Sequence, residues 1–257
     1  MLGIVFYINL SAEQIEWEHV ESEHFSIDYF SHGEHIEEIG KQLEEIYYEI
    51  SPLFLAEEEL NNDNYSKISV AIYDDATYLK IRKSTATAAF NNNQFQLNIE
   101  KYLEKGRRST LAHEIVHAFT NDDSLVEKKD YPMWLVEGVA MYYQSGSEGK
   151  VFGKEMISEA IKNDQLVGWS DMVTSDQFHD GNRKLNYTEA MWIYSYLVDT
   201  YGEKNINGIF NQEGDFVTIF RTITGKEIDE VEKEWQEYIR QAIYELPRSM
   251  QDNLKKY

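Results

Sequence analysis

The sequence predicts an α+β protein in which a small sheet lobe precedes a mainly helical lobe. Three observations carry the prediction. Short runs over the first part of the chain alternate apolar with polar residues; beyond Tyr102 the apolar residues recur at helical spacing; and 42% hydrophobic and 14% aromatic side chains in 257 residues are enough to bury a sizeable core. Strands first and helices afterwards argue for segregated lobes rather than a βαβ sheet. The spans read as an apolar N-terminus over 1–12, a sheet-and-helix lobe over 13–105 and a helical lobe over 106–257.

The opening run from Met1 to Ala12 is apolar and ends in small residues, but it lacks a basic start and is too short to span a bilayer. It reads either as a first strand or as the remnant of a signal segment. From Ile15 to Phe30, Trp17, Val20, Phe25, Ile27 and Tyr29 partly alternate with polar residues, as in half-buried strands. The period then changes: Ile36, Ile39, Leu43, Ile46, Tyr47 and Ile50 share one helical face ahead of Pro52. A β run follows at Ile68–Tyr73, then a helix around Ala76 to Arg82. Ala86 to Ile99 carries β signals broken at Asn91 to Asn93; it reads as ending either in an edge strand able to pair with an extended peptide or in an interior strand. Later helices are predicted at Ser109–Phe119, Tyr131–Gln144, Gly153–Ile161, Tyr187–Tyr201 and Ile228–Tyr244. Trp17, Trp169, Trp235 and the Tyr47-Tyr48 pair read as packing residues.

Charge and composition exclude several classes. Lys and Arg number 24 against 46 Asp and Glu, a formal charge of -22 spread along the chain. Nucleic acid and anionic membrane surfaces are repelled by such a surface. Without cysteine there is neither a disulfide framework nor thiolate chemistry, so any metal must be held by histidine and carboxylate. No segment reads as an integral membrane span, and with three prolines and no Gly/Ser-rich stretch there is no flexible linker.

The residues that point to chemistry are His113 and His117 with Glu114 between them, inside an apolar helical run that Ser109 or Thr110 is placed to cap. Positions four apart lie on one helix face, so both imidazoles can reach one ion while Glu114 stands beside it. A second apolar helix, Pro132 to Tyr143, presents Glu137 in a setting where an unpaired carboxylate is costly and a metal would satisfy it. Gly138 and Ala140 keep that surface small, which would let the second helix approach the first. Two histidines and one glutamate make the three protein ligands of a catalytic zinc, with a fourth position left for water.

With these residues the chain resembles the gluzincin metallopeptidases, the group that includes thermolysin and aminopeptidase N, and most closely the bacterial peptidase MA-like domains. Those proteins pair an HExxH helix with a W-L-x-E-G-x-A helix, found here at Trp134 to Ala140. The 19 residues between His117 and Glu137 are close to the aminopeptidase spacing. The resemblance is specific over about 109–240 and implies a zincin-like fold with the metal at the junction of the lobes. It implies one zinc per chain held by His113, His117 and Glu137, and Glu114 as the base that takes a proton from the attacking water and passes it to the leaving amine. The tyrosine at the start of the helix from Tyr187 to Gly202 would face the substrate and donate to its oxyanion, a role that His179, in the polar stretch Asp176 to Lys184, could supply instead. The segment from Phe216 to Tyr238 looks like the closing part of such domains.

Two departures qualify the match. Met141 stands where thermolysin-like enzymes place an acid that orients a ligand, and the G-A-M-E-N motif of the exopeptidases is missing. The resemblance therefore implies a zinc-dependent endopeptidase acting on a peptide or protein substrate. A binding domain of the same fold without turnover, and a zinc hydrolase of a non-peptide amide or ester, are the two alternatives from other classes. Cytoplasmic and secreted or cell-envelope locations are equally compatible with the sequence.

Overall fold

The run over residues 15–30 folds as a pair of antiparallel strands in which Val20 stands opposite Ile27, on the face shared with Phe25, while Trp17 points to the other face and packs with Ala71, Tyr73 and Tyr78. A computed structural model describes residues 6–10, 13–55, 67–84, 86–91, 94–105, 108–121, 131–147, 153–242 and 248–256. They divide into two units, Met1–Leu125 and Val126–Tyr257. The division falls after the helix that carries His113, which packs on the sheet unit.

In the first unit, β1 (Phe6–Leu10) pairs antiparallel with β2 (Glu13–Glu21), which pairs antiparallel with β3 (Phe25–Tyr29). The turn between β2 and β3 is tied down by His24, whose backbone N–H and Nδ1 both reach the Glu44 carboxylate, at 2.8 and 2.6 Å. Glu44 lies on α1 (Ile36–Phe54), whose buried face is Ile36, Ile39, Leu43, Ile46, Tyr47 and Ile50, the stripe expected from the spacing. α1 packs on β3 near Gly40, where an added Cβ would meet Ile27 Cδ1 at an ordinary contact distance of 3.6 Å.

Beyond β3 the sheet continues with β4 (Ile68–Tyr73), β6 (Gln94–Asn98) and the edge strand β5 (Ala88–Asn91), in the order β1-β2-β3-β4-β6-β5. Of the stretch Ala86 to Ile99, the first half is thus at the edge and the second half is interior; Asn92 and Asn93 lie outside the described residues. Ile27, Val70 and Phe95 stand side by side across three strands, each fully buried. One expectation needs correction. β3, β4 and β6 run parallel, so the sheet does contain crossover connections, supplied by α1 and by α2 (Asp75–Arg82). Parallel neighbours cannot be joined by a tight turn, and the helical periods between these strands provide the necessary length.

Asp74 caps α2 by accepting the Thr77 N–H at 2.7 Å. α3 (Ile99–Lys105) follows β6 directly, and α4 (Arg108–Asn121) closes the unit. Ser109 and Thr110 lie within the first turn of α4 rather than ahead of it, so neither is its cap, and the position before Arg108 lies outside the described residues.

In the second unit all regular structure among the described residues is helical: α5 (Met133–Ser147), α6 (Lys154–Lys162), α7 (Ser175–His179), α8 (Arg183–Tyr201), α9 (Glu203–Asn207), α10 (Phe216–Thr224), α11 (Ile228–Ala242) and α12 (Arg248–Lys256). α8 is buried almost all round, as befits the central helix of a bundle. Trp134 of α5 packs on Trp169 at 4.6 Å between ring centroids, and Trp169 on Trp235 at 5.9 Å. Trp17, Tyr47, Trp169 and Trp235 are packing residues as expected, whereas Tyr48 is exposed, its hydroxyl donating to Glu23. No helix among the described residues is long and apolar enough to cross a membrane.

Candidate active site

α4 is fixed to α1 at both ends. Arg108 pairs with Glu49 at 2.6 Å, and Phe119 stacks on Phe54 at 5.5 Å between centroids and packs against Tyr47. On the helix so held, His113 is half-buried and His117 buried, with their Nε2 atoms 3.1 Å apart. Two imidazole nitrogens bound tetrahedrally at about 2.0–2.1 Å from one ion stand about 3.3 Å apart. The observed separation is within a few tenths of an ångström of that value, so the pair fits one zinc. Glu114, next to His113, is buried as well.

Tyr78 of α2 belongs to the same surroundings. It is fully buried, and desolvation, with the negative charge of Glu114 adding, pushes its hydroxyl up to about 12. Sequence spacing gave no sign of it, since a short helix separated from α4 by two strands and α3 places it there.

In the second unit, Glu137 is buried in the second turn of α5. The neighbouring Gly138 faces α8. A Cβ at Gly138 would lie 2.4 Å from the Ala190 carbonyl oxygen and 3.3 Å from Tyr194 Cβ, so the small residue admits α8. Beyond it, the Tyr194 hydroxyl donates to Asn207, and Asn207 Nδ2 donates to the Tyr143 hydroxyl at 3.0 Å. Tyr142 donates to the Ser249 carbonyl at 3.0 Å, which ties α12 to α5.

Tyr187 and His179, read from sequence as alternatives, are neighbours. His179 ends α7, whose start carries a capping box made by Thr174 and Gln177. Its Nδ1–H donates to the Ser175 carbonyl at 2.8 Å, so the neutral ring presents Nε2 as an acceptor, and the Tyr187 hydroxyl donates to it at 3.2 Å. Because α8 begins at Arg183, capped by Asn182, Tyr187 sits in its second turn rather than at its start. It is half-buried and edge-on to Phe178 at 4.9 Å, which holds the ring while leaving it partly accessible.

Two residues beyond Tyr187, Glu189 is fully buried and accepts the Val167 N–H at 3.0 Å. Burial raises its carboxyl to about 8 from 4.5, the Val167 hydrogen bond opposing and the Glu232 charge adding. A raised carboxyl binds its proton more tightly when folded, so its stabilising effect is complete below about pH 4.5 and is lost as pH rises to about 8. Glu189→Gln keeps an oxygen to accept the Val167 N–H and cannot ionise. Denaturation in urea should show the native protein losing stability relative to this variant between those pH values, by at most about 1.4 kcal/mol per unit. Parallel pH profiles would place the ionised form in the fold instead.

One further histidine and carboxylate group occurs in the first unit: His32, Glu34 and His35 offer ligand atoms within 4.8 Å of one another. Glu34 is largely exposed and both histidines are half-buried, at the turn before α1.

A family model described as the peptidase MA superfamily matches residues 59–241. No curated protein matches the chain. The matched span runs from before α2 to near the end of α11 and includes His113, His117, Glu137 and Tyr187.

Proposed function

Because the chain belongs to the peptidase MA superfamily, a membership that points to a metallopeptidase, we propose that it is a zinc-dependent endopeptidase that uses His113, His117 and Glu137 as metal ligands. The observation that carries the reading is the convergence of the His113 and His117 Nε2 atoms at 3.1 Å, with the Glu114 carboxylate buried beside them. Glu137, buried on an apolar helix, supplies the negative charge that two neutral imidazoles lack. Bound zinc would act as a Lewis acid, polarising the scissile carbonyl and lowering the pKa of water toward about 7.

The chain's own residues do the rest. Glu114 takes a proton from the attacking water and delivers it to the leaving nitrogen, a transfer that needs one carboxylate oxygen facing the reacting atoms. Tyr187 donates its hydroxyl hydrogen bond to the oxygen that becomes negatively charged, turning from His179 to do so. His179 then holds the Tyr187 hydroxyl at rest: its tautomer, set by the Ser175 carbonyl, accepts the Tyr187 hydrogen bond until the substrate oxygen takes it.

Metal analysis tests the reading. Purified protein should hold about one zinc per chain. It should lose that zinc to a chelator and regain it on addition, and Glu137→Ala should bind it more weakly. Protein that takes up no zinc, or whose uptake depends on His32 and His35 and not on His113 and His117, would overturn the ligand assignment. Digestion of a peptide library with sequencing of the products then reports the bond cleaved: internal cuts support an endopeptidase, and cuts confined to chain ends do not.

A further inference from the structure

The second unit contains a cavity of about 570 Å³ that the proposed chemistry does not use. Its apolar wall is built from Trp134, Trp169 and Phe216, all buried, with Val173 and Val217 exposed among its lining residues. Three carboxylates line it too: Asp215, Asp229 and Glu232. None of the lining residues is basic.

The acidic groups are only partly engaged within the chain. Asp215 caps α10 by accepting the Thr218 N–H at 3.0 Å, and Glu232 accepts the Trp169 backbone N–H at 3.1 Å. Desolvation raises the Glu232 carboxyl, the Asp229 and Asp171 charges adding and the Trp169 hydrogen bond and the Lys233 charge opposing, so a further cation at the cavity would favour its ionised form.

We propose that this cavity binds a lysine- or arginine-bearing segment of a polypeptide. The aliphatic stem of a basic side chain matches the aromatic and valine wall, its charged head matches the three carboxylates, and aromatic faces add attraction for the cation. A volume in the range of ligand pockets suits a side chain with part of its backbone. A second copy of this chain, at -22, is a poor occupant, whereas a basic segment of another polypeptide is drawn to it. Such a site holds a partner or substrate independently of the metal ligands, none of which lines it.

The test is fluorescence anisotropy with a labelled nonapeptide of alternating lysine and valine, using full-length protein carrying Glu114→Gln so that the peptide stays intact. Saturable binding is expected, weakening as salt is raised. Replacing lysine by norleucine should abolish it. Asp229→Asn with Glu232→Gln should weaken it by about tenfold, and the glutamine keeps an oxygen for the Trp169 N–H. Glu155→Gln with Glu159→Gln removes the same charge from the exposed face of α6 and should leave affinity unchanged. Equal weakening by both pairs would reduce the effect to net charge and overturn the proposal. Affinity should also be the same in chelator and in added zinc. Binding that requires zinc places the peptide at the metal and overturns the pocket assignment without touching the proposed catalysis; pocket binding in a protein that takes up no zinc leaves this inference standing while the proposed function fails.

Discussion

Glu114→Gln should retain zinc and fold while losing turnover by about 10²- to 10⁴-fold. The substitution is isosteric, so the packing of a buried side chain is kept and what disappears is the capacity to carry a proton. In the wild-type chain the carboxylate has two tasks at one place, accepting the proton of water and returning it to nitrogen, and the amide performs neither. Steady-state hydrolysis of an internally quenched peptide, with zinc content measured on the same samples, reads both quantities. Near-normal hydrolysis removes Glu114 from the reaction. Loss of zinc together with activity makes it a structural contact of the histidine helix.

Tyr187→Phe should lower kcat by about 10²- to 10³-fold with KM little changed, because the hydroxyl interacts with charge that exists only in the transition state. The ring contact with Phe178 is kept by phenylalanine, so the fold has no reason to respond. His179→Ala should cost less, since it frees the Tyr187 hydroxyl from an acceptor without removing the donor. The double variant should resemble Tyr187→Phe alone, as expected for two residues acting through one hydrogen bond. If instead Tyr187→Phe turns over normally and His179→Ala is crippled with zinc retained, the oxyanion donor is His179.

Much of this arrangement was legible in the sequence wherever one helix face set the outcome. The stripe from Ile36 to Ile50 and the four-residue step from His113 to His117 depend on a period of 3.6, and both appear as expected. What periodicity did not encode is which element a given face meets. Gly138 is small in order to admit α8, and only the Ala190 carbonyl reveals this. Parallel pairing of β3, β4 and β6 was illegible for the same reason, because alternation within a strand is blind to the direction of its neighbour. Tyr78 lies beside Glu114 through the packing of α2, a relation with no spacing to count. The joining of His179 to Tyr187 needed the short α7 to fold back onto α8, although the Thr174 and Gln177 capping pair was a local signal that a helix starts there.

At Gly138 the backbones of α5 and α8 meet with no side chain between them. A side chain at Gly138 would drive its Cβ into the Ala190 carbonyl, so this close approach of the two helices depends on the glycine. Glu137 is the residue before the glycine on one helix, and Tyr187 lies three residues before its counterpart, Ala190, on the other. The span from carboxylate to phenol is therefore set where main-chain atoms of the two helices meet.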